Sequence, residues 1–345
     1  MPKVPDALVK EQYKLRASFF YERLDALGFT HLHARVKKIS CDHKSSISWS
    51  KYTKFGISKN AWKTVEDTKL DPALFFIHPN IIEIEQTLLR YYRCIALLPQ
   101  KGLSRLSTCD PDPIEKGLKN ITPPKLELVV QTINQMMSFL LELEGEATEA
   151  KLNGAMYATA GVTIDGSWRN AIGAEGERVI RALLLKSLLA HKEVVSITFN
   201  DDTTINISTT TESSEQLVKK TPNIRNFVIT NSNLVIFKSE PDIEIRDPNG
   251  NILGGIEIKA GLDPAGALER LGAMFKSFNN ILAVSPGAET ILVASCITGE
   301  VDKRIREARS VKSTYILNEV LSDNITGIRF VNYIRSVLGL VDKGM

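Results

Sequence analysis

Three side chains in the stretch SEPDIEIRDPNGNILGGIEIKAG could do chemistry together: Asp242, Glu257 and Lys259. Residues 241–247 alternate strictly, with Ile243 and Ile245 on one face and Asp242, Glu244 and Arg246 on the other. Residues 256–259 repeat the pattern, with Ile256 and Ile258 opposite Glu257 and Lys259. Pro248-Asn249-Gly250 between them is a strong turn signal, so the two runs are predicted to form a β-hairpin. Each strand then buries its isoleucines and presents its acidic face. A turn centred on Asn249 pairs Asp247 with Asn251 and sets Asp242 opposite Ile256, a mismatch of faces. One extra residue absorbed as a bulge at Gly254 and Gly255 repairs it, bringing Ile243 to Ile256 and Asp242 to Glu257.

Two carboxylates held side by side repel, and each resists losing its water. A divalent cation resolves the conflict, and an oxygen-rich site of one or two carboxylates suits Mg²⁺. Such an ion polarises a phosphate oxygen and lowers the pKa of a coordinated water. Lys259 shares a face with Glu257, where an ammonium can orient that water and stabilise charge growing on the phosphate. These are the parts that phosphodiester hydrolysis needs. The plain alternative for the same residues is a salt-bridged surface hairpin.

The elements that must position this hairpin follow from periodicity. Residues 171–191 (AIGAEGERVIRALLLKSLLAH) predict a strongly amphipathic helix. Short β-branched runs follow at 194–199, 227–230, 234–237, 241–247 and 252–260. A helix over 264–278, a strand over 290–297, a helix over 301–308 and a last helix near 327–338 complete the chain. A helix, then strands, then a helix, a strand and closing helices imply an α/β (α+β mixed) fold, a mixed sheet flanked by helices. Residues 208–215 (STTTESSE) read as a loop. Upstream the chain reads as mainly helical, over 7–27, 81–98 and, after the breaker pair Pro123-Pro124, 125–143. Small residues over 154–166 mark a seam. The expected organisation is a mainly helical N-terminal domain, 1–150, and a second domain, 151–345, that carries the hairpin.

Pro241-Asp242 followed by Glu257-Ile258-Lys259 resembles the PD-(D/E)XK nuclease motif, hairpin context included. The resemblance covers about residues 170–300 and implies a restriction-endonuclease-like fold. It also implies that Asp242 and Glu257 hold the metal, that the Ile258 carbonyl is a further ligand, and that Lys259 serves the attacking water. In this superfamily an acid on the helix before the sheet often joins the site. That makes Glu177, in GAEGE, the candidate, with Glu175 as the alternative. KAGLDPAGALERLGAMFKSF, beginning at Lys259, and YYRCIALLPQKG at 91–102 resemble stretches of type II restriction endonucleases. The likeness is to the XcyI-type family, which cuts CCCGGG. It implies a homodimer on a palindromic site of double-stranded DNA, each subunit cutting one strand to leave a 5′-phosphate.

Residues 43–65 contain no Asp or Glu but carry Lys44, Lys51, Lys54, Lys59 and Lys63, interleaved with Trp49, Tyr52, Phe55 and Trp62. Lysines neutralise phosphates and release counterions, so Lys51, Lys54, Lys59 and Lys63 are candidate DNA contacts. The aromatics could stack on bases, though for a duplex binder packing beneath the loop is the better reading. On the helix predicted from Pro264, Arg270 and Lys276 are candidates for a phosphate or a guanine edge, with a solvated helix face as the plain alternative.

Composition excludes several classes. The apolar (43%) and charged (24%) fractions of the 345 residues are those of an ordinary globular protein, and the net charge of +3 is mild. No apolar run reaches the roughly 18 residues of a membrane helix, and the polar N-terminus lacks a signal-peptide core. The four cysteines are widely spaced with no CxxC pair, which fits a reducing cytoplasm. Cys94 and Cys296 sit in apolar contexts expected in the core. His31, His33, Cys41 and His43 match no structural zinc spacing. No glycine loop is built to cradle phosphates, so no nucleotide cofactor is expected. A structure-specific repair or recombination nuclease would use the same chemistry. A DNA-binding module of this fold that has lost catalysis is the non-enzymatic alternative, against which the intact Asp242, Glu257 and Lys259 argue.

Overall fold

The two alternating runs form a hairpin inside an eight-stranded sheet in the computed structural model, which describes residues 6–262 and 264–341, with side chains over 9–262 and 271–341. The chain divides into two units, one of residues 12–168 and one of residues 169 onward, with 6–11 counted to the second. The helices up to this division are α1 (Asp6–Ala26), α2 (Leu32–Asp42), α3 (Lys59–Thr68), α4 (Pro79–Ile84), α5 (Leu89–Ile95), α6 (Gln100–Ser107), α7 (Asp112–Glu115) and α8 (Pro123–Glu144). The division falls within α9 (Glu149–Ala190). After it come α10 (Ser214–Lys219), α11 (Pro264–Val284), α12 (Gly299–Ala308), α13 (Leu317–Ser322) and α14 (Asn324–Val337).

The helical unit has its own core, which includes Val36, Ala61, Leu74, Phe76, Ile81, Leu88, Val129 and Ile133. Residues 81–98 are not the single helix that their spacing predicts. They split into α4, a short 3-10 turn at Gln86–Leu88 and α5, with Glu85 extended between them. The reason is that neighbouring pairs, Ile81 with Ile82, Leu88 with Leu89 and Tyr91 with Tyr92, are all fully buried. No single helical stripe can do that. Arg93 is also buried and ion-paired to Glu115 (2.5 Å). The small residues over 154–166 do not interrupt the backbone; they lie inside α9.

The second unit holds β1 (Val194–Phe199), β2 (Thr204–Asn206), β3 (Ile224–Ile229), β4 (Leu234–Phe237), β5 (Ile243–Arg246), β6 (Ile252–Lys259), β7 (Glu289–Ala294) and β8 (Ser313–Ile316). They stand in the order β2-β1-β3-β4-β5-β6-β7-β8. Pairing is antiparallel as far as β6 and parallel from β6 through β8. Parallel neighbours require crossovers, which α11 and α12 supply. This is the mixed sheet flanked by helices that the element order implies. Two short strands at its margins, β2 and β8, and the short helix α10 were not expected from the sequence.

Ile243, Ile245, Ile256, Ile258, Ile291 and Val293 share a core with Ile180, Leu184, Leu185 and Leu188 of α9 and Phe330, Ile334 and Val337 of α14. Leu292 and Ala294, at the alternate positions of β7, join Leu271, Met274, Phe278 and Ile281 of α11 and Val301 and Ile305 of α12 in a separate core. The sheet is therefore covered on both sides. The acidic face of the hairpin is not presented to water as the alternation suggests: Asp242, Glu244 and Glu257 are 4%, 2% and 3% exposed.

The turn has the expected form, with Asp247 N–H donating to Asn251 O (2.9 Å) and the Asp247 carboxylate accepting from the Asn249 and Asn251 N–H groups. Ile243 meets Ile256, as the bulge argument requires. The bulge itself lies elsewhere. The ladder is regular through Gly254 and Gly255, and the extra residue is Leu253, between the pairs Arg246–Ile252 and Ile245–Gly254. The glycines serve packing instead. A Cβ at Gly254 would stand 3.0 Å from Glu289 O, and one at Gly255 would overlap Ile281 of α11. Gly255→Ala should lower stability by about 1–3 kcal/mol through this overlap, read from the urea midpoint. An unchanged midpoint would mean that Ile281 turns aside at no cost.

Candidate active site

β5 begins at Ile243, so the Ile258 N–H has no ladder partner on that edge of β6. Asp242 fills the gap: its Oδ2 accepts from Ile258 N–H at 2.6 Å. The N–H and C=O of one residue leave a strand on the same edge, so the Ile258 carbonyl faces this edge too. The next residue points the other way, and Lys259 O accepts from Ser295 N–H at 2.9 Å. A backbone carbonyl and two carboxylates thus converge where the β5–β6 ladder ends.

Lys259 Nζ donates to Glu257 Oε2 at 2.6 Å and stands 3.7 Å from Asp242 Oδ2. One ammonium is therefore shared by two nearly buried carboxylates. Burial, its largest influence, pushes the Asp242 carboxyl up to about 7. Lys259 and the Ile258 N–H pull it down, while Glu257 and Glu177 push it further up. For Lys259, burial works against the ammonium, but the charges of Asp242 and Glu257 outweigh it and hold its pKa above the usual lysine value.

Glu177 comes from α9, which reaches this end of β6 because residue 176 is glycine. A Cβ there would overlap Ala260 and lie 3.6 Å from Ile258 Cγ2. The charge of Glu177 acts on both Asp242 and Lys259, and its carboxylate is ion-paired to Arg181 (2.8 Å). Glu175, the alternative acid, is exposed and paired with Arg178 (2.6 Å).

Two groups that the sequence did not single out also stand here. Arg181 donates to the carbonyls of Lys238 and Asp242 as well as pairing with Glu177. Glu244, buried beside the pair, is neutralised by Lys238 and by Arg246 (2.6 Å). The i, i+4 spacing of Glu177 and Arg181 was the available signal for the first. Arg246 and Glu244, two apart on one strand face, were the signal for the second.

The donor set suits a hard cation: carboxylate and carbonyl oxygens, with two carboxylates compensated by a single ammonium. Among the described residues no three His, Cys, Asp or Glu side chains form a metal-holding group. The oxygens that could serve a cation here are the Asp242–Glu257 pair and a backbone carbonyl, a set within the one or two carboxylates that Mg²⁺ takes while keeping water.

The candidate DNA contacts lie apart from this cluster in the chain. Lys51, Lys54, Lys59 and Lys63 are all exposed, and none has an acidic partner among the described residues. The aromatics between them pack on one another and on the helical core. Tyr52 stacks on Trp62 (4.6 Å between centroids), and Trp49 and Phe55 both meet His78 edge-on. Lys276 is exposed on α11, and Arg270 lies outside the described side chains. His33 is taken up by Tyr91 and Glu149, and Cys94 and Cys296 are buried.

The raised Asp242 carboxyl makes stability depend on pH. In EDTA the folded chain keeps this proton to about pH 7, whereas an unfolded aspartate loses it near pH ~4. The stabilisation is full below the lower value and is lost as pH rises through the upper one. Asp242→Asn can still accept from Ile258 N–H and has no such loss. Its melting temperature should gain on that of the wild type from pH 5 to pH 8, by the equivalent of about 1–3 kcal/mol. A constant gap would rule out the raised carboxyl.

Comparison with curated proteins found no match. The sequence does match the XcyI restriction endonuclease family, over residues 57–340. That span takes in Glu177, the whole hairpin and most of both units. No helix among the described residues is long and apolar enough to cross a membrane. The chain thus belongs to the XcyI restriction endonuclease family, and is a type II, site-specific deoxyribonuclease.

Proposed function

We propose that this chain hydrolyses phosphodiesters of duplex DNA with Mg²⁺, at a CCCGGG-like palindrome, as a homodimer whose subunits each cut one strand and leave a 5′-phosphate. The observation that carries this reading is the buried Asp242–Glu257 pair sharing the Lys259 ammonium at the open edge of Ile258. Asp242, Glu257 and the Ile258 carbonyl would hold the ion. When bound, it supplies positive charge at a phosphate oxygen and acidity at a water. Lys259, released from its ion pair, orients the attacking water and offsets negative charge growing on the phosphate. Glu177 adds a carboxylate beside this centre, available to the ion or to its waters.

The family match and the palindromic target that it suggests support the homodimer and the CCCGGG-like site. Lys51, Lys54, Lys59 and Lys63, exposed and with no acidic partner among the described residues, suit phosphate contacts. Lys276 and Arg270 on α11, close in sequence to Lys259, are candidates for the same duplex. The helical unit is proposed as the DNA-recognising part and the sheet unit as the catalytic part.

Phage DNA incubated with the protein and Mg²⁺ should give discrete fragments, and end mapping should return the recognition sequence. EDTA should abolish cleavage, and Asp242→Ala or Lys259→Ala should lower kcat by about 10²–10³-fold or more. Cleavage surviving in both variants would mean that the centre lies elsewhere.

Each of Lys51→Ala, Lys54→Ala, Lys59→Ala and Lys63→Ala should weaken binding of specific and nonspecific duplexes alike. Each should also reduce the slope of log K against log salt by about 1. Unchanged slopes in all four would exclude this segment from the interface.

A further inference from the structure

Arg181, on α9, links Glu177 of the same helix to the turn leading into Asp242. Its Nη2 donates to Lys238 O and Asp242 O, each at 2.9 Å, and the same group pairs with Glu177 Oε2 at 2.8 Å. Its guanidinium lies over the Phe237 ring, with Cζ 5.1 Å from the centroid, and the side chain is only 17% exposed. Asp242 O also accepts from Lys238 N–H, so the two carbonyls bracket a closed turn over residues 238–242.

We propose that Arg181 is a positioning residue: it fixes the Glu177 carboxylate and the Asp242 main chain relative to each other. The inference rests on the site assigned under the proposed function. All three contacts fall on Nη2, and stacking on Phe237 fixes the guanidinium plane that aims this nitrogen. A lysine offers a point charge on a flexible stem and can keep the charge without the arrangement. Asp242 lies just outside the ladder, so the regular sheet does not fix its position. Its carboxylate depends on this turn for its aim at the Ile258 edge. The same contact gives Glu177 a partner, so α9 brings a neutralised carboxylate to the site.

The test compares Arg181→Met, Arg181→Lys, Glu177→Gln, the Arg181→Met/Glu177→Gln double variant and Asp242→Ala in the full-length protein. Plasmid cleavage is followed for kcat, KM for DNA and the Mg²⁺ midpoint, with thermal melting alongside. Misplacing a reacting group by about 1 Å costs on the order of 10²-fold. Arg181→Met is therefore expected to lower kcat by about that factor, with KM for DNA little changed and the Mg²⁺ midpoint raised. Arg181→Lys should recover part of the loss, and Glu177→Gln should cost less in the Arg181→Met background than alone.

A folded Arg181→Met with wild-type kcat and Mg²⁺ midpoint would overturn the proposal. So would a rise in KM alone, which marks a DNA contact, or independent multiplication of the two single effects. If Arg181→Met does not fold, Arg181→Lys decides: wild-type kcat and midpoint overturn the proposal, and reduced kcat at wild-type KM upholds it. Activity surviving in Asp242→Ala would overturn the site itself. An inert Asp242→Ala beside fully active Arg181 variants would overturn only the role of Arg181.

Discussion

Asp242 and Glu257 sit side by side almost out of reach of water, with one ammonium between them. Burying an ion costs several kcal/mol even after the surroundings relax, and two like charges add to that cost. The sheet unit is arranged around this imbalance. Hydrophobic cores on the two sides of the sheet hold β5 and β6 rigidly enough for the carboxylates to stay adjacent. The end of the β5–β6 ladder leaves Ile258 N–H free to bind Asp242. Glycine at 176 lets α9 come close enough to add a third acid with its own arginine. The arrangement is unfavourable for an isolated protein and apt for one that takes up a divalent cation.

Much of this was legible because it is local. Strict alternation, a Pro-Asn-Gly turn and the spacing of Asp242, Glu257 and Lys259 define the hairpin within a single stretch of chain. Local rules of period and turn chemistry apply there without outside help. The pairing of Ile243 with Ile256 follows from matching the faces. Glu177 was a candidate through the resemblance, which puts an acid on the helix before the sheet; helical spacing alone left Glu175 as its alternative.

What the sequence left open depends on partners that are distant in the chain. Two glycines in a strand suggest a bulge, yet here they make room for Ile281 and the β7 backbone, and Leu253 takes the bulge. Periodicity over 81–98 assumes one buried stripe, and fails where adjacent residues such as Leu88 and Leu89 or Tyr91 and Tyr92 are both buried. The edge strands β2 and β8 are short, and β2 is polar, so neither gives a period to read. Arg181 looks like any helix-surface arginine until the Lys238 and Asp242 carbonyls are seen to meet it.

The i, i+4 pairing of Glu177 with Arg181 and the i, i+2 pairing of Glu257 with Lys259 bear on how such a site can form at all. Each acid that enters the crowded end of the sheet travels with its own counter-charge on the same element. The hairpin can close, and α9 can dock on it, without any stage at which several bare carboxylates are pressed together. Asp242 is the exception: it has no basic partner of its own on its strand, and burial pushes its carboxyl up to about 7. The protein thus assembles an electrostatically awkward centre from pieces that are individually close to neutral.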